Sequence, residues 1–124
     1  METFDSFNQR GKKTITDSVT RAIIEYGDDG LSGLDQSNAQ YKNMFDTMCE
    51  IEARIMNVDD DAHVDWHSMN LFYLYCEILT YNTSDYFDID QFQADAKEEI
   101  QSIESVHCVR YQGELEICID STNE

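Results

Sequence analysis

The sequence predicts an α+β domain that is mainly α, with about four helices packed around a central apolar helix and a C-terminal antiparallel β-hairpin. Apolar residues recur at three- and four-residue steps through most of residues 14–105, which is the period of amphipathic helices. They alternate with polar residues over 106–120, which is the period of a β-strand. A chain of 124 residues, 41% of them apolar, is long enough for a single domain, 1–124, with a packed core.

The first half of the chain is predicted to hold an N-terminal arm and two helices. Residues 1–13 show no clear period and are expected to form the arm. A helix is predicted over about Asp17–Tyr26, where apolar residues share one face, and a glycine-containing loop follows. The second helix is predicted over about Asn38–Asn57, because an apolar stripe runs from Met44 to Val58.

The central element is expected to be a third helix, from about His63 to Tyr81. It is apolar nearly all round, which is typical of a helix with neighbours on several sides. A turn follows, and Asp88 is predicted to cap a fourth helix, with Gln91 three positions later in the capping-box arrangement. The predicted buried stripe of this helix consists of Ile89, Phe92, Ala96, Ile100 and Ile103.

The C-terminal hairpin is predicted from two alternating segments, Val106–Tyr111 and Glu114–Ile119, joined by a turn at Gly113. Strict alternation places Cys108 and Cys118 on opposite faces, so no disulfide between them is expected. None of the four cysteines forms a CxxC motif, and buried, reduced thiols are the expectation.

The charge of the chain excludes several classes of partner. There are 26 acidic and eight basic side chains, a formal net charge of −18, and half of the basic residues lie within residues 1–21. Direct binding to nucleic acid or to an anionic membrane is therefore not expected. The apolar stretch Met69–Cys76 is far shorter than the roughly 20 residues of a membrane span. Without a hydrophobic N-terminal signal, the predicted location is the cytoplasm of a bacterial or phage-infected cell.

Motifs of catalysis are absent from the sequence. There is no GxSxG, no phosphate-binding glycine loop and no dinucleotide fingerprint, which predicts a non-enzymatic protein without a cofactor. The alternative is a small metal-binding enzyme. His63 and His67 are four residues apart, which on a helix places both imidazoles on one face, near several aspartates. The sequence identifies no third ligand.

The acidity itself indicates a binding surface. A net charge of −18 exceeds the magnitude of about 2–8 that suffices for the solubility of a small domain. Such a surface repels itself, and a basic partner would offset that cost. The contact residues are expected where acids concentrate on short elements: Asp59, Asp60, Asp61, Asp65, Asp85, Asp88, Asp90, Asp95, Glu98 and Glu99.

Two kinds of inhibitor fit this surface. The first is a DNA mimic of the anti-restriction or anti-CRISPR type, which occupies the basic nucleic-acid-binding surface of a nuclease or another DNA-binding protein. The second is an immunity protein that neutralises a cationic nuclease toxin, with Tyr86 and Phe87 as candidate aromatic anchors. The sequence leaves open whether the chain acts alone or as a homodimer.

Overall fold

The computed structural model describes residues 4–27, 38–82, 87–111 and 113–121, with side chains from residue 15 onward. Within these ranges the chain forms three helices and one four-stranded sheet. In chain order the elements are α1 (Phe4–Tyr26), α2 (Ala39–Val58), β1 (Ala62–Met69), β2 (Tyr73–Thr80), α3 (Ile89–Gln101), β3 (Val106–Tyr111) and β4 (Leu115–Ile119). Because α1 begins at Phe4, residues 4–13 are helical rather than an extended arm.

The predicted fold class, with four helices around a central apolar helix, is wrong. The segment predicted as the third helix, His63–Tyr81, contains the antiparallel strands β1 and β2 instead. Its apolar residues alternate in burial along each strand, and the sheet uses that alternation. Aromatic and β-branched residues, which favour strands over helices, are frequent in this segment.

A β-bulge interrupts the strand period of β1. The register of β1 against β2 shifts between Trp66 and Ser68, so His67 is the extra residue of the bulge. The shift brings Met69 back to the buried side, so the buried residues Ala62, Val64, Trp66 and Met69 follow one another at steps of two, two and three. The last step breaks the two-residue period that marks a strand and is also a helical step.

The turn between β1 and β2 is held by one side chain. The Asn70 carboxamide oxygen accepts hydrogen bonds from the backbone N–H groups of Phe72 and Tyr73, both at 2.8 Å. Asparagine favours turns because its short side chain can bond to nearby backbone in this way. The chain therefore reverses at Asn70, in the middle of the predicted helix.

The second and fourth predicted helices are confirmed as α2 and α3. Asn38 caps α2 by accepting a hydrogen bond of 3.0 Å from the Tyr41 backbone N–H. Asp88 caps α3 by accepting from the backbone N–H groups of Asp90 and Gln91, at 3.0 and 3.1 Å. Both caps satisfy N–H groups that have no partner inside the helix.

The predicted C-terminal hairpin is present as β3 and β4, but it is half of a larger sheet with strand order β1-β2-β4-β3. A register shift between Val106 and Cys108 moves Cys108 to the face opposite to the one predicted. Cys108 and Cys118 are thus cross-strand partners on one face, and both thiols are free. The expectation that they lie on opposite faces is wrong because the bulge inserts one residue.

The core lies between the helices and one face of the sheet. The helix α2 is its central helix, since it contacts α1, α3 and β1. Fully buried side chains come from helices and strands alike: Val19, Met44, Met48, Ile51, Ile55, Met69, Leu74, Cys76, Ile100 and Ile117. The other face of the sheet carries the alternate residues of each strand. Of the helices in the described ranges, none is long and apolar enough to cross a membrane.

Candidate functional site

The candidate site lies on the face of the sheet that points away from the core, called here the outer face. Its side chains are half-buried or exposed, in contrast to the buried alternate residues of the same strands. Charged, aromatic and thiol groups are mixed on it: His63, Asp65, His67, Tyr73, Tyr75, Glu77, Leu79, Cys108, Arg110, Glu116 and Cys118. An antiparallel sheet with one solvated face presents such side chains on a rigid hydrogen-bonded frame.

Four residues from three parts of the sheet converge on the outer face, and we call them the His67 cluster: Asp65, His67, Glu77 and Glu114. The Nε2 atom of His67 lies 3.8 Å from Oδ2 of Asp65 and 4.0 Å from Oε1 of Glu77. Its Nδ1 atom is hydrogen-bonded to Oε2 of Glu114. The imidazole therefore lies among three carboxylates.

Local backbone geometry positions each member of the cluster. Asp65 and Glu77 are direct cross-strand partners, an arrangement that is unfavourable for like charges alone. The bulge in β1 places His67 next to them. Gly113 adopts a φ of 77°, which glycine tolerates without strain, and Glu114 follows directly before β4.

The electrostatics of the cluster favour a charged imidazole. The pKa of His67 is raised from its ordinary value, mainly by the hydrogen bond to Glu114. Partial burial opposes this shift, and the charges of Glu114, Glu77 and Asp65 add to it. In the absence of another cation, the protonated ring compensates part of the carboxylate charge.

Arginine offsets little of the remaining acidity. In the described ranges Arg54 pairs with Glu50 at 3.0 Å and with Glu99 at 3.3 Å. Arg110 approaches Glu116 at 3.8 Å on the outer face. The outer face and the turn before β4 thus carry four carboxylates (Asp65, Glu77, Glu114 and Glu116) against one arginine and two histidines. The surface potential there is negative.

The predicted contact cluster Asp59–Asp61 divides into one structural residue and two exposed ones. Asp59 accepts a 2.6 Å hydrogen bond from the Thr80 hydroxyl and a 3.0 Å bond from the Asp61 backbone N–H. Both hydrogen bonds lower the pKa of Asp59, and the bond from Thr80 has the larger effect. Asp60 and Asp61 are exposed directly before β1. They lie at the end of the outer face.

The predicted acids of the fourth helix have different environments. Asp88 is the cap of α3, and Asp95 accepts a 2.8 Å hydrogen bond from the Gln91 carboxamide. Glu99 pairs with Arg54. Asp90 and Glu98 are exposed. Asp85 lies outside the described residues.

The two histidines of the predicted metal site do not form a pair on one helix face, because both lie on the strand β1. His63 stacks on Tyr81, with ring centroids 5.0 Å apart and planes inclined by 17°. Its Nδ1 atom is buried and, within the part of the chain that the structure describes, has no hydrogen-bond partner. Among the described residues, carboxylate oxygens lie within 4.0 Å of the His67 ring nitrogens but not of those of His63.

Two members of the His67 cluster, Glu77 and Glu114, were not among the predicted site residues. Glu77 lies in the segment predicted as helix, where its position opposite Asp65 is not visible. The sequence did contain a signal for a strand here, because His63, Asp65 and His67 are polar at every second position.

A groove of about 420 Å³ lies between α3 and the sheet and shares Glu77 with the His67 cluster. Its charged lining residues are Lys97 of α3 and Glu77 of β2.

The candidate anchor Phe87 packs against Phe92 of the core, with ring centroids 5.5 Å apart, and is half-buried. Tyr86, the other candidate anchor, lies outside the described residues.

The chain was compared with protein-family models, with curated proteins and with solved structures. None of the three comparisons finds a match.

Proposed function

We propose that this protein is an acidic inhibitor that binds the basic nucleic-acid-binding surface of a nuclease or another DNA-binding protein and acts there as a DNA mimic. The observation that carries the proposal is the outer face, where carboxylates from β1, β2 and β4 are presented together among half-buried and exposed side chains. Asp60 and Asp61 add exposed negative charge directly before the start of β1. A partner of this kind places the protein in the cytoplasm of a bacterial or phage-infected cell.

The spacing of charges on the sheet supports such mimicry. Along one strand of duplex DNA the negative charges repeat about every 3.4 Å. Neighbouring β-strands lie about 4.8 Å apart, so carboxylates on adjacent strands are spaced about 1.4 times as widely as those charges. Because the strands are hydrogen-bonded to one another, the backbone has little conformational freedom left to lose when a partner binds.

Aromatic residues on the same face can supply contact area beyond charge. Tyr73 and Tyr75 of β2 lie among the carboxylates, and Tyr73 is exposed. Tyrosine is enriched among the residues that dominate binding energy at protein interfaces. The loop anchor proposed for an immunity protein is less suited to this role, since Phe87 packs against the core. The tyrosines on the sheet and the packing of Phe87 therefore favour the outer face over the loop before α3 as the contact surface.

The test compares two triple variants with equal charge change. The outer-face variant is Asp60→Asn, Asp61→Asn, Glu116→Gln, and the control on and after α3 is Asp90→Asn, Glu98→Gln, Glu104→Gln. Basic partners are captured from a host-cell extract on the immobilised protein and identified by mass spectrometry. The Kd of the purified partner for each variant is then measured at several salt concentrations, with and without competing duplex DNA.

We expect the outer-face variant to weaken binding by about tenfold or more at low salt, and the control by less than about threefold. Wild-type affinity should fall steeply as salt is added. An equal loss in both variants, or a loss confined to the control, would exclude the outer face as the contact surface. A wild-type complex that is insensitive to salt and to duplex DNA would contradict DNA mimicry itself.

A further inference from the structure

We infer that the His67 cluster is a binding site for a divalent transition-metal ion. The ligands are Nε2 of His67 and the carboxylates of Asp65 and Glu77, and Glu114 is a positioning residue. This site is independent of the proposed inhibitory function, because a protein can bind a basic partner without a metal ion and a metal ion without the partner.

The distances between the ligand atoms fit one shared ion. One ligand atom each from Asp65, His67 and Glu77 lie within 4.8 Å of one another, and two of the separations are 3.8 and 4.0 Å. Ligand atoms held about 2.0–2.2 Å from a single zinc ion lie roughly 3–4 Å apart. Small side-chain rotations therefore bring the three groups into coordination distance.

Glu114 orients the imidazole as metal sites commonly do. A histidine that binds a metal through one ring nitrogen usually donates its other N–H to a carboxylate or a carbonyl. Here Glu114 takes the Nδ1 side of His67, and Nε2 faces the two remaining carboxylates. The hydrogen bond fixes the ring orientation and leaves the nitrogen that faces Asp65 and Glu77 for the ion.

The two strands that carry the ligands are also suitable for a metal site. Asp65 and His67 come from β1 and Glu77 from β2, so backbone hydrogen bonds between the strands set their spacing. The side chains of these residues are 33–50% exposed, which leaves room for water molecules in the other coordination positions. One imidazole with two carboxylates favours Zn²⁺, Co²⁺, Ni²⁺ or Mn²⁺ over the purely oxygen-liganded Mg²⁺ and Ca²⁺.

A competing explanation is that protonated His67 serves only as an internal counter-ion for the carboxylates. The two explanations differ in what a metal titration shows. Co²⁺ is the probe, since its coordination by an imidazole gives a visible absorption spectrum, and isothermal titration with Zn²⁺ measures affinity. Both use the metal-free, full-length protein in a non-chelating buffer, with Mg²⁺ as the comparison ion.

Three variants distinguish a metal site from an internal counter-ion. His67→Gln removes the nitrogen ligand but keeps every carboxylate. Glu114→Gln removes only the orienting charge. His107→Gln is the matched control, because His107 is an exposed histidine that pairs with a different carboxylate, Asp120, at 3.3 Å. Circular dichroism shows whether each variant retains the wild-type fold.

We expect the wild type to bind one Zn²⁺ or Co²⁺ and to prefer both over Mg²⁺. His67→Gln should lose the imidazole-dependent spectrum and about tenfold or more in affinity, and Glu114→Gln should weaken binding by about 10- to 100-fold. His107→Gln should bind like the wild type. Equal binding by the wild type and His67→Gln, or an equal loss in His107→Gln, would overturn the site.

The outcome of the metal titration can be distinguished from the outcome of the partner-binding test. His67→Gln leaves all acidic residues in place, so binding of the basic partner should be retained in this variant. Asp65→Asn gives a second route to the same answer if His67→Gln does not fold, and it should likewise lose the metal. Failure of the metal titration with intact partner binding overturns the metal site alone.

Discussion

At the scale of single residues, Glu52 is the most buried acidic side chain in the part of the chain that the structure describes. Its side chain is buried, with 8% of its surface exposed, where α1, α2 and β1 meet. The indole N–H of Trp66 donates a 3.0 Å hydrogen bond to Oε1 of Glu52, and the Ser18 hydroxyl donates one of 3.2 Å. Burial is the largest influence on this carboxyl group and raises its pKa, while the two hydrogen bonds act in the opposite direction.

Replacement of Glu52 should separate the hydrogen bonds from the charge. Glu52→Ala leaves the buried Trp66 N–H without its acceptor, and the free energy of unfolding should fall by about 1–3 kcal/mol. Glu52→Gln retains an acceptor without a charge, so it should be at least as stable as the wild type near about pH 7. Urea unfolding followed by circular dichroism measures both variants.

The pH dependence of stability has a defined sign for this residue. Because the folded-state pKa is raised above 4.5, the fold favours the protonated carboxyl group. Its contribution to stability is fully present below the unfolded pKa and is lost as the pH rises through the raised folded value. The advantage of Glu52→Gln over the wild type should therefore shrink as the pH is lowered. An advantage that does not change with pH would contradict a raised pKa.

At the scale of elements, the start of α3 depends on Asp88. Two backbone N–H groups of the first helical turn, those of Asp90 and Gln91, donate to its carboxylate. The side chain of Gln91 donates to Asp95 one turn later, so it supports the same end of the helix. Asp88 thus has a structural role, whether or not a partner also contacts it.

Substitution of Asp88 should affect stability through the acceptor more than through the charge. Asp88→Ala should lower the free energy of unfolding by about 1 kcal/mol, since it removes the helix cap. Asp88→Asn keeps an acceptor oxygen and should retain most of the stability, because asparagine and aspartate cap helices about equally. Chemical denaturation compares the two. If Asn were as harmful as Ala, the charge at the helix terminus would be the larger contribution.

At the scale of the whole molecule, the net charge of −18 opposes the compact state. The described lysines and arginines offset only part of it, and most carboxylates face solvent or backbone donors. Repulsion between exposed charges is weakened by salt, since the screening length falls from about 30 Å at 0.01 M to about 8 Å at 0.15 M ionic strength. The protein should therefore be less stable at low ionic strength.

Monovalent salt should raise the Tm of this protein. Differential scanning calorimetry over about 0.01–0.5 M NaCl at constant pH tests this expectation. The variant with Asp90→Asn, Glu98→Gln and Glu104→Gln loses three exposed charges, so its Tm should be higher at low salt and should depend less on salt. A Tm that falls with added salt would mean that attractive ion pairs outweigh repulsion.

Much of the fold follows from local patterns. The helices α2 and α3 were predictable because a regular apolar stripe coincides with a capping residue, Asn38 or Asp88. The strands β3 and β4 were predictable from alternation around Gly113. The β1–β2 hairpin was not, because the bulge at His67 breaks the two-residue period of β1 between Trp66 and Met69. The predicted contact residues stay a prediction: Asp60 and Asp61 before β1 belong to the outer-face variant of the binding test, and Asp90 and Glu98 of α3 belong to its control.

The sequence by itself determined the strong acidity, the helices with one apolar face and the residue types that could bind a cation or a basic protein. Only the tertiary structure decided which of these residues lie close together. Asp65 and Glu77 are opposite each other only through the β1–β2 register, and Glu114 reaches His67 from the turn before β4. Strand pairing joins residues that are far apart in the chain, and a shift of one residue moves a side chain to the other face. A local period therefore cannot specify such a site.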